Sequence, residues 1–158
     1  LLFRNLAIVY LANFVGAAGL AALVMLSGHG ELNDGKIAAT MMTIAETKCN
    51  LNLLQAVASG ILCNILVCLA IWLTLAARSV ADKILAIVFP ITAFVAAGFE
   101  HCVANMYFLS LGKMMGADVS WASIWLDNLL PVTLGNLIGG AGFVGLVYYV
   151  IYLRHRNS

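Results

Sequence analysis

Gly98-Phe99-Glu100-His101-Cys102-Val103-Ala104-Asn105-Met106 sets an acid, an imidazole and an amide close together inside an apolar run. Lipid offers such groups no hydrogen-bond partners. In a membrane segment they therefore turn toward a bundle interior or a water-filled path, where they mark a permeation site. Whether the flanking sequence is a membrane segment decides what this stretch is for.

The composition answers that question. Hydrophobic residues make up 63% of the 158 residues and charged residues 9%, against about 45–50% and about 25% in an average soluble domain. A soluble fold would have almost no polar surface with which to cover its core. The net charge of +1 argues against a nucleic-acid partner, since neutralising phosphates takes clustered Lys and Arg, and the chain has no such cluster. Cys49, Cys63, Cys68 and Cys102 lie in or beside apolar segments without CxxC or Cys/His spacing. They read as small buried hydrophobes.

A helix needs about 20 apolar residues to cross a bilayer. Asn5 to Gly28, Cys49 to Ala77 and Asn128 to Leu153 meet that length without a charge. Another crossing, 84–112, runs from Ile84 to Phe99, meets Glu100 and His101, and resumes from Cys102 to Gly112, so it is broken near 98–102. Neither piece spans alone. Together they do, and unwound backbone at that depth is tolerated where it faces protein or a water-filled cavity. A continuous tilted helix with Glu100 and His101 turned into the bundle is the alternative. Pro90 would kink the first piece without being the break itself. The fold class expected is an all-α polytopic membrane protein.

The connections alternate sides. The side holding the N-terminus carries Arg4, Arg78, Lys83, Arg154 and Arg156, while the other has Lys36, Lys48 and Lys113 spread over two longer loops. The positive-inside rule then places both ends of the chain in the cytoplasm. Trp72 and Tyr152 are expected near the cytoplasmic interface and Trp121 and Trp125 near the outer one, either in lipid or packed on protein.

A repeat lies within the spans. Leu11-Ala12-Asn13-Phe14-Val15-Gly16-Ala17-Ala18-Gly19 resembles Leu134-Gly135-Asn136-Leu137-Ile138-Gly139-Gly140-Ala141-Gly142 at an offset of 123, and Leu23-Val24 with Leu146-Val147 extends the match. Small-residue packing motifs arising independently in two helices are the alternative reading. As a repeat, the second copy closes a group of three spans, so the first should close another group, two of whose spans are missing. Residues 1–158 are then expected to be the C-terminal part of one six-span transmembrane domain, with four spans present and the rest upstream of Leu1. An odd number of spans per repeat gives the copies opposite orientations, the inverted arrangement in which substrate sites form at the repeat interface.

These residues carry a family resemblance. Ala97 to Met106 resembles the fifth-helix signature of the formate/nitrite transporter family. Cys63-Asn64-Ile65-Leu66-Val67-Cys68-Leu69-Ala70-Ile71-Trp72 is similar to its fourth helix, and Asn128-Leu129-Leu130-Pro131-Val132-Thr133-Leu134-Gly135-Asn136-Leu137-Ile138-Gly139-Gly140 to its sixth. The resemblance covers essentially the whole chain. It implies an aquaporin-like inverted-repeat bundle with a broken fifth helix, assembled as a homopentamer in a bacterial inner membrane. It further implies a channel or transporter, not an enzyme, for a small monovalent weak-acid anion. Formate is the first choice, and nitrite and hydrosulfide are the rivals. A non-transporting membrane subunit or a membrane enzyme on the same scaffold is the more distant alternative.

Six positions take pore roles on this reading. His101 becomes the central pore histidine; an imidazole switches charge near neutral pH and can hydrogen-bond an anion or pass it a proton, though a buried histidine can also simply satisfy backbone. Lys48, in Ala45-Glu46-Thr47-Lys48, matches the family's lysine position and would raise the local anion concentration; as a plain helix-start lysine it would only snorkel. Family position puts Asn64 and Asn136 near the pore, orienting His101 or the substrate, while Phe94 and Val67 match the apolar constrictions or are ordinary packing. Glu100 would repel an anion if it faced the pore. It is expected, with Asn105, to support the broken helix. Asn13, the repeat mate of Asn136, has interhelical bonding as its default use. His29 and His155 sit at span ends, away from His101, and no three ligands converge, so no haem, metal or other cofactor is expected.

Overall fold

In a computed structural model the described part of the protein is residues 1–153. Arg154, His155 and Arg156, which entered the orientation and haem arguments, lie outside it. The described residues are all-helical, without strands: α1 (Leu2–Leu26), α2 (Lys36–Cys49), α3 (Leu53–Ala76), α4 (Val80–Ala96) and α5 (Cys102–Met114), then α6 (Trp121–Leu153) with three π-helical stretches. By length and apolarity α1, α3 and α6 can each cross a membrane. Helices α4, of 17 residues, and α5, of 13, fall short of the roughly 20 required. Residues 84–112 therefore fall in two separate helices divided by non-helical residues 97–101, and the continuous-helix alternative is excluded.

The element boundaries differ from those counted on uncharged runs. Helix α3 begins at Leu53, not Cys49, because the chain leaves helical geometry at Asn50. Cys49 ends a separate helix, α2, which the sequence reading missed. Helix α4 starts at Val80, not Ile84: Ser79 and Asp82 form a capping box, with Asp82 N–H donating to Ser79 Oγ at 3.1 Å and Ser79 N–H to Asp82 Oδ2 at 3.0 Å. Helix α6 starts at Trp121, not Asn128, where Ser120 Oγ accepts from Ser123 N–H at 2.9 Å. Charges do not stop helices; caps start them.

The stop that matters most is at Gly98. Phe99 N–H donates to Phe94 O at 3.0 Å and Gly98 N–H to Val95 O at 3.1 Å, with Gly98 at φ +70°. This is a Schellman motif, which satisfies the end carbonyls of α4 and requires a left-handed residue just past the last turn. Helix α4 passes through Pro90 and ends here, so glycine and not proline makes the break.

The chain divides into two compact units. The first comprises Leu1–Leu53 and Cys102–Leu130. In it α5 packs on α1 and α2, around a core that includes Ala45, Cys49, Met106, Leu109, Ile124 and Leu129. Helices α2 and α5 approach so closely that a Cβ on Gly112 would strike Ala45 and Met41. Trp125 packs on Phe14, with ring centroids 4.7 Å apart, which realises the protein-packing alternative for this residue. The second unit comprises Leu54–His101 and the chain from Pro131 onward. Its α3 and α6 meet backbone to backbone: a Cβ on Gly135 would strike Val57 O, one on Gly139 would strike Ile61 O, and one on Gly60 would lie 2.8 Å from Val132 O. Here the glycines of the repeat motif permit a close helix crossing. Their mates on α1 do not: Gly16 has no described atom within 4 Å of a would-be Cβ.

Gly98→Ala should lower the thermal unfolding temperature of the full-length protein in detergent. An L-residue held in the left-handed region costs about 1–2 kcal/mol. Gly19→Ala, which meets open space on α1, should leave that temperature unchanged or raise it.

Candidate functional site around the helix break

Residues Ala97–His101 leave helical geometry between α4 and α5, so their backbone groups need partners from elsewhere. Helices α3 and α6 supply them within the second unit. Glu100 N–H donates to Ser59 Oγ at 3.0 Å. The Glu100 carbonyl accepts from Asn136 Nδ2 at 3.0 Å, and the same amide nitrogen donates to Gly60 O at 2.8 Å. Asn136 is itself gripped through its main chain, where Asn64 Nδ2 donates to its carbonyl at 2.6 Å. Asn136 and Glu100 are both buried, at 6% and 4% exposure; the two bonds from Asn136 Nδ2 are buried, and those from Asn64 and to Ser59 are part-buried.

The result is a rigid mount for the next residue. His101 follows the clamped Glu100 carbonyl and is half-buried. Its ring stacks on buried Phe94, with centroids 5.9 Å apart and planes 23° from parallel. The Schellman turn explains the pairing, since it returns the chain past the last turn of α4 and brings residue 101 back over residue 94. Val67, half-buried on α3, belongs to the same unit. Five of the expected residues, His101, Phe94, Glu100, Asn64 and Asn136, are thus joined by hydrogen bonds, a ring stack or the backbone around one break. Ser59 and Gly60 complete the mount and were not singled out from sequence. Their signal was faint, a serine and a glycine side by side in an apolar helix.

Lys48 and Asn105 belong to the first unit. Lys48 does not begin the second span; it lies half-buried in the last turn of α2. The extra helix displaces it, because Asn50 caps α2 two residues later. Asn105, at 1% exposure, donates through Nδ2 to Asn128 Oδ1 at 2.8 Å. Asn128 in turn donates to Lys48 O at 2.9 Å. Asn13, the repeat mate of Asn136, makes no such cross-helix bond through its amide nitrogen, which folds back to Val9 O at 2.9 Å on its own helix. No cluster of three or more His, Cys, Asp or Glu suited to a metal occurs among the described residues.

A family model described as formate/nitrite transporter matches residues 1–150. The formate channel FocA of Escherichia coli K12 is 37% identical over 175 residues, covering 99% of this chain and 61% of that protein. A probable formate transporter of Methanothermobacter thermautotrophicus is 40% identical, covering 97% of this chain and 60% of that one. Among solved structures, a pentameric formate channel with formate bound superposes with a TM-score of 0.86 at 38% identity, covering 97% of this chain and 67% of that chain. The chain spans about three fifths of the length of these two relatives.

Asn136→Leu should destabilise the protein by about 1–3 kcal/mol, since it removes the buried amide donor from the Glu100 carbonyl in the break, along with the second bond to Gly60 O. Asn136→Asp, which turns an acceptor toward the same carbonyls, should be at least as damaging. Thermal unfolding in detergent measures both. A stability unchanged by either substitution contradicts the clamp.

Proposed function

The chain belongs to the formate/nitrite transporter family, and on that premise we propose that it forms part of a transmembrane channel for small monovalent weak-acid anions, formate first among them. The observation that carries the reading is the half-buried imidazole of His101, mounted on a clamped helix break and stacked on Phe94. A bare anion is costly in so apolar a setting. Protonation of the anion at or near His101 lets it cross as the neutral acid and carry that proton with it, and an imidazole that gave the proton is reprotonated from the side of entry. Nothing else happens to the substrate, so the protein transports without covalent chemistry.

The remaining residues take supporting parts. Lys48 raises the anion concentration at the outer mouth by its charge. Phe94 and Val67 form the dry constriction, and Asn64 and Asn136 orient His101 through the Glu100 backbone. Glu100 serves the break more than the anion, since a carboxylate facing the path would repel an anion, and its main chain is held by Ser59 and Asn136. Asn105 supports the end of α2 through Asn128. By analogy with the pentameric formate channel the working unit is a homopentamer, seated in a bacterial inner membrane with its C-terminus in the cytoplasm. The K12 relative supports formate over nitrite and hydrosulfide, which the same site accommodates by size and charge.

Uptake of labelled formate and nitrite into liposomes holding the full-length protein tests the substrate. Formate flux well above nitrite flux is expected; flux of neither moves the assignment to hydrosulfide or to a non-transporting subunit. His101→Gln keeps hydrogen-bonding groups and removes the titratable imidazole, so the pH dependence of formate flux should flatten. An unchanged pH profile rules out proton transfer through this side chain.

A further inference from the structure

We propose that Asn128 is the positioning residue for Lys48, an assignment that rests on the reading of Lys48 as the cation that attracts the anion. Lys48 stands in the last turn of α2, where helix-end carbonyls have no partner within the helix. Its carbonyl is taken by Asn128 Nδ2 at 2.9 Å, and Asn128 is wholly buried at 0% exposure. A carbonyl only accepts, so Asn128 must present its NH2 group there and its Oδ1 elsewhere. That oxygen receives Nδ2 of Asn105 at 2.8 Å. The amide is therefore fixed at both ends, and it fixes the backbone from which the Lys48 side chain springs.

Two further observations set Asn128 apart from general packing. It lies in the π-helical stretch Ile124–Leu129 at the start of α6, an irregularity that re-aims side chains and is common at functional positions. The offset of 123 that pairs Asn13 with Asn136 also pairs Asn5 with Asn128, so the amide recurs in the repeat. Glu46, two residues before Lys48, is also tied, accepting from Asp118 N–H at 3.1 Å. The final turn of α2 is thus held on separate sides by α6 and by the loop after α5. An attracting charge needs such a fixed root, because a mobile lysine spends its field on bulk water.

The test uses the full-length protein in liposomes, with formate uptake measured against formate concentration at low and high ionic strength. The attraction is screened by salt, so the wild type should show a half-saturating concentration that rises as salt is added. Asn128→Asp, which sets an acceptor against the Lys48 carbonyl, should raise the half-saturating concentration several-fold at low salt, by more than it lowers maximal flux, and should weaken the salt dependence. Lys48→Gln should do the same, and the double variant should be no worse than Lys48→Gln alone. Asn105→Leu, which removes the Nδ2 donor to Asn128 Oδ1, should give a smaller shift of the same kind and serves if Asn128→Asp does not fold. A shift in Lys48→Gln but in neither asparagine variant overturns the assignment and leaves the reading of Lys48 intact. Effects that multiply in the double variant overturn it as well. No shift in Lys48→Gln overturns the reading of Lys48, and the assignment with it.

Discussion

One amide nitrogen holds the candidate site together. Asn136 Nδ2 donates both to Gly60 O on α3 and to Glu100 O in the break between α4 and α5. Lipid offers unwound backbone no partners, so donors and acceptors freed by the break must be met by protein or by a water-filled cavity. The Schellman turn at Gly98 meets those at the end of α4, and Ser59 and Asn136 meet those of Glu100. Only then can His101 occupy a fixed place beside Phe94. The glycines follow from the same demand, because Asn136 reaches Gly60 O only if α3 and α6 touch at their backbones, and side chains at Gly60, Gly135 or Gly139 would prevent it.

The first unit repeats the device with different residues. There an amide on α6, Asn128, meets a helix-end carbonyl on α2, and a second amide on α5 fixes its orientation. Both units thus use buried asparagines as double-ended connectors at places where a helix stops. Asparagine suits this work because it offers a donor and an acceptor on a short side chain without a charge to bury. The repeat mate Asn13 shows the contrast. It carries the same side chain in the same motif, yet it donates to its own helix at Val9, and the glycines beside it face open space.

Much of this was legible in the sequence where local chemistry decides. Glu100 and His101 in an apolar run announced a break. Gly135 and Gly139 of the second Leu-x-Asn copy, read from sequence as part of a repeat with close packing as the alternative, do pack closely on α3, unlike the glycines of the first copy. Half-buried Asn64 and buried Asn105 and Asn136 had to find partners, but the identity of those partners depends on tertiary contacts: Asn136 finds Gly60 across 76 positions, and Asn128 finds Lys48 across 80. Helix α2 escaped notice because its 14 residues are too short to span and carry Glu46 and two lysines, so a search for uncharged runs passed over it. That omission also misplaced Lys48, which depends on where α2 stops and not on where the next span starts. The helix starts at Val80 and Trp121 are written in the sequence as the caps Ser79-x-x-Asp82 and Ser120, a signal independent of where the charges fall.

Proton-linked passage at a clamped break makes a definite statement about charge. Formate that crosses as the neutral acid carries a proton with it and no net current. The most direct measurement is simultaneous recording of formate uptake, luminal pH and membrane current in vesicles holding the full-length protein. One proton gained in the lumen per formate, with little current, is the expected result. A current that matches the formate flux without luminal acidification contradicts it.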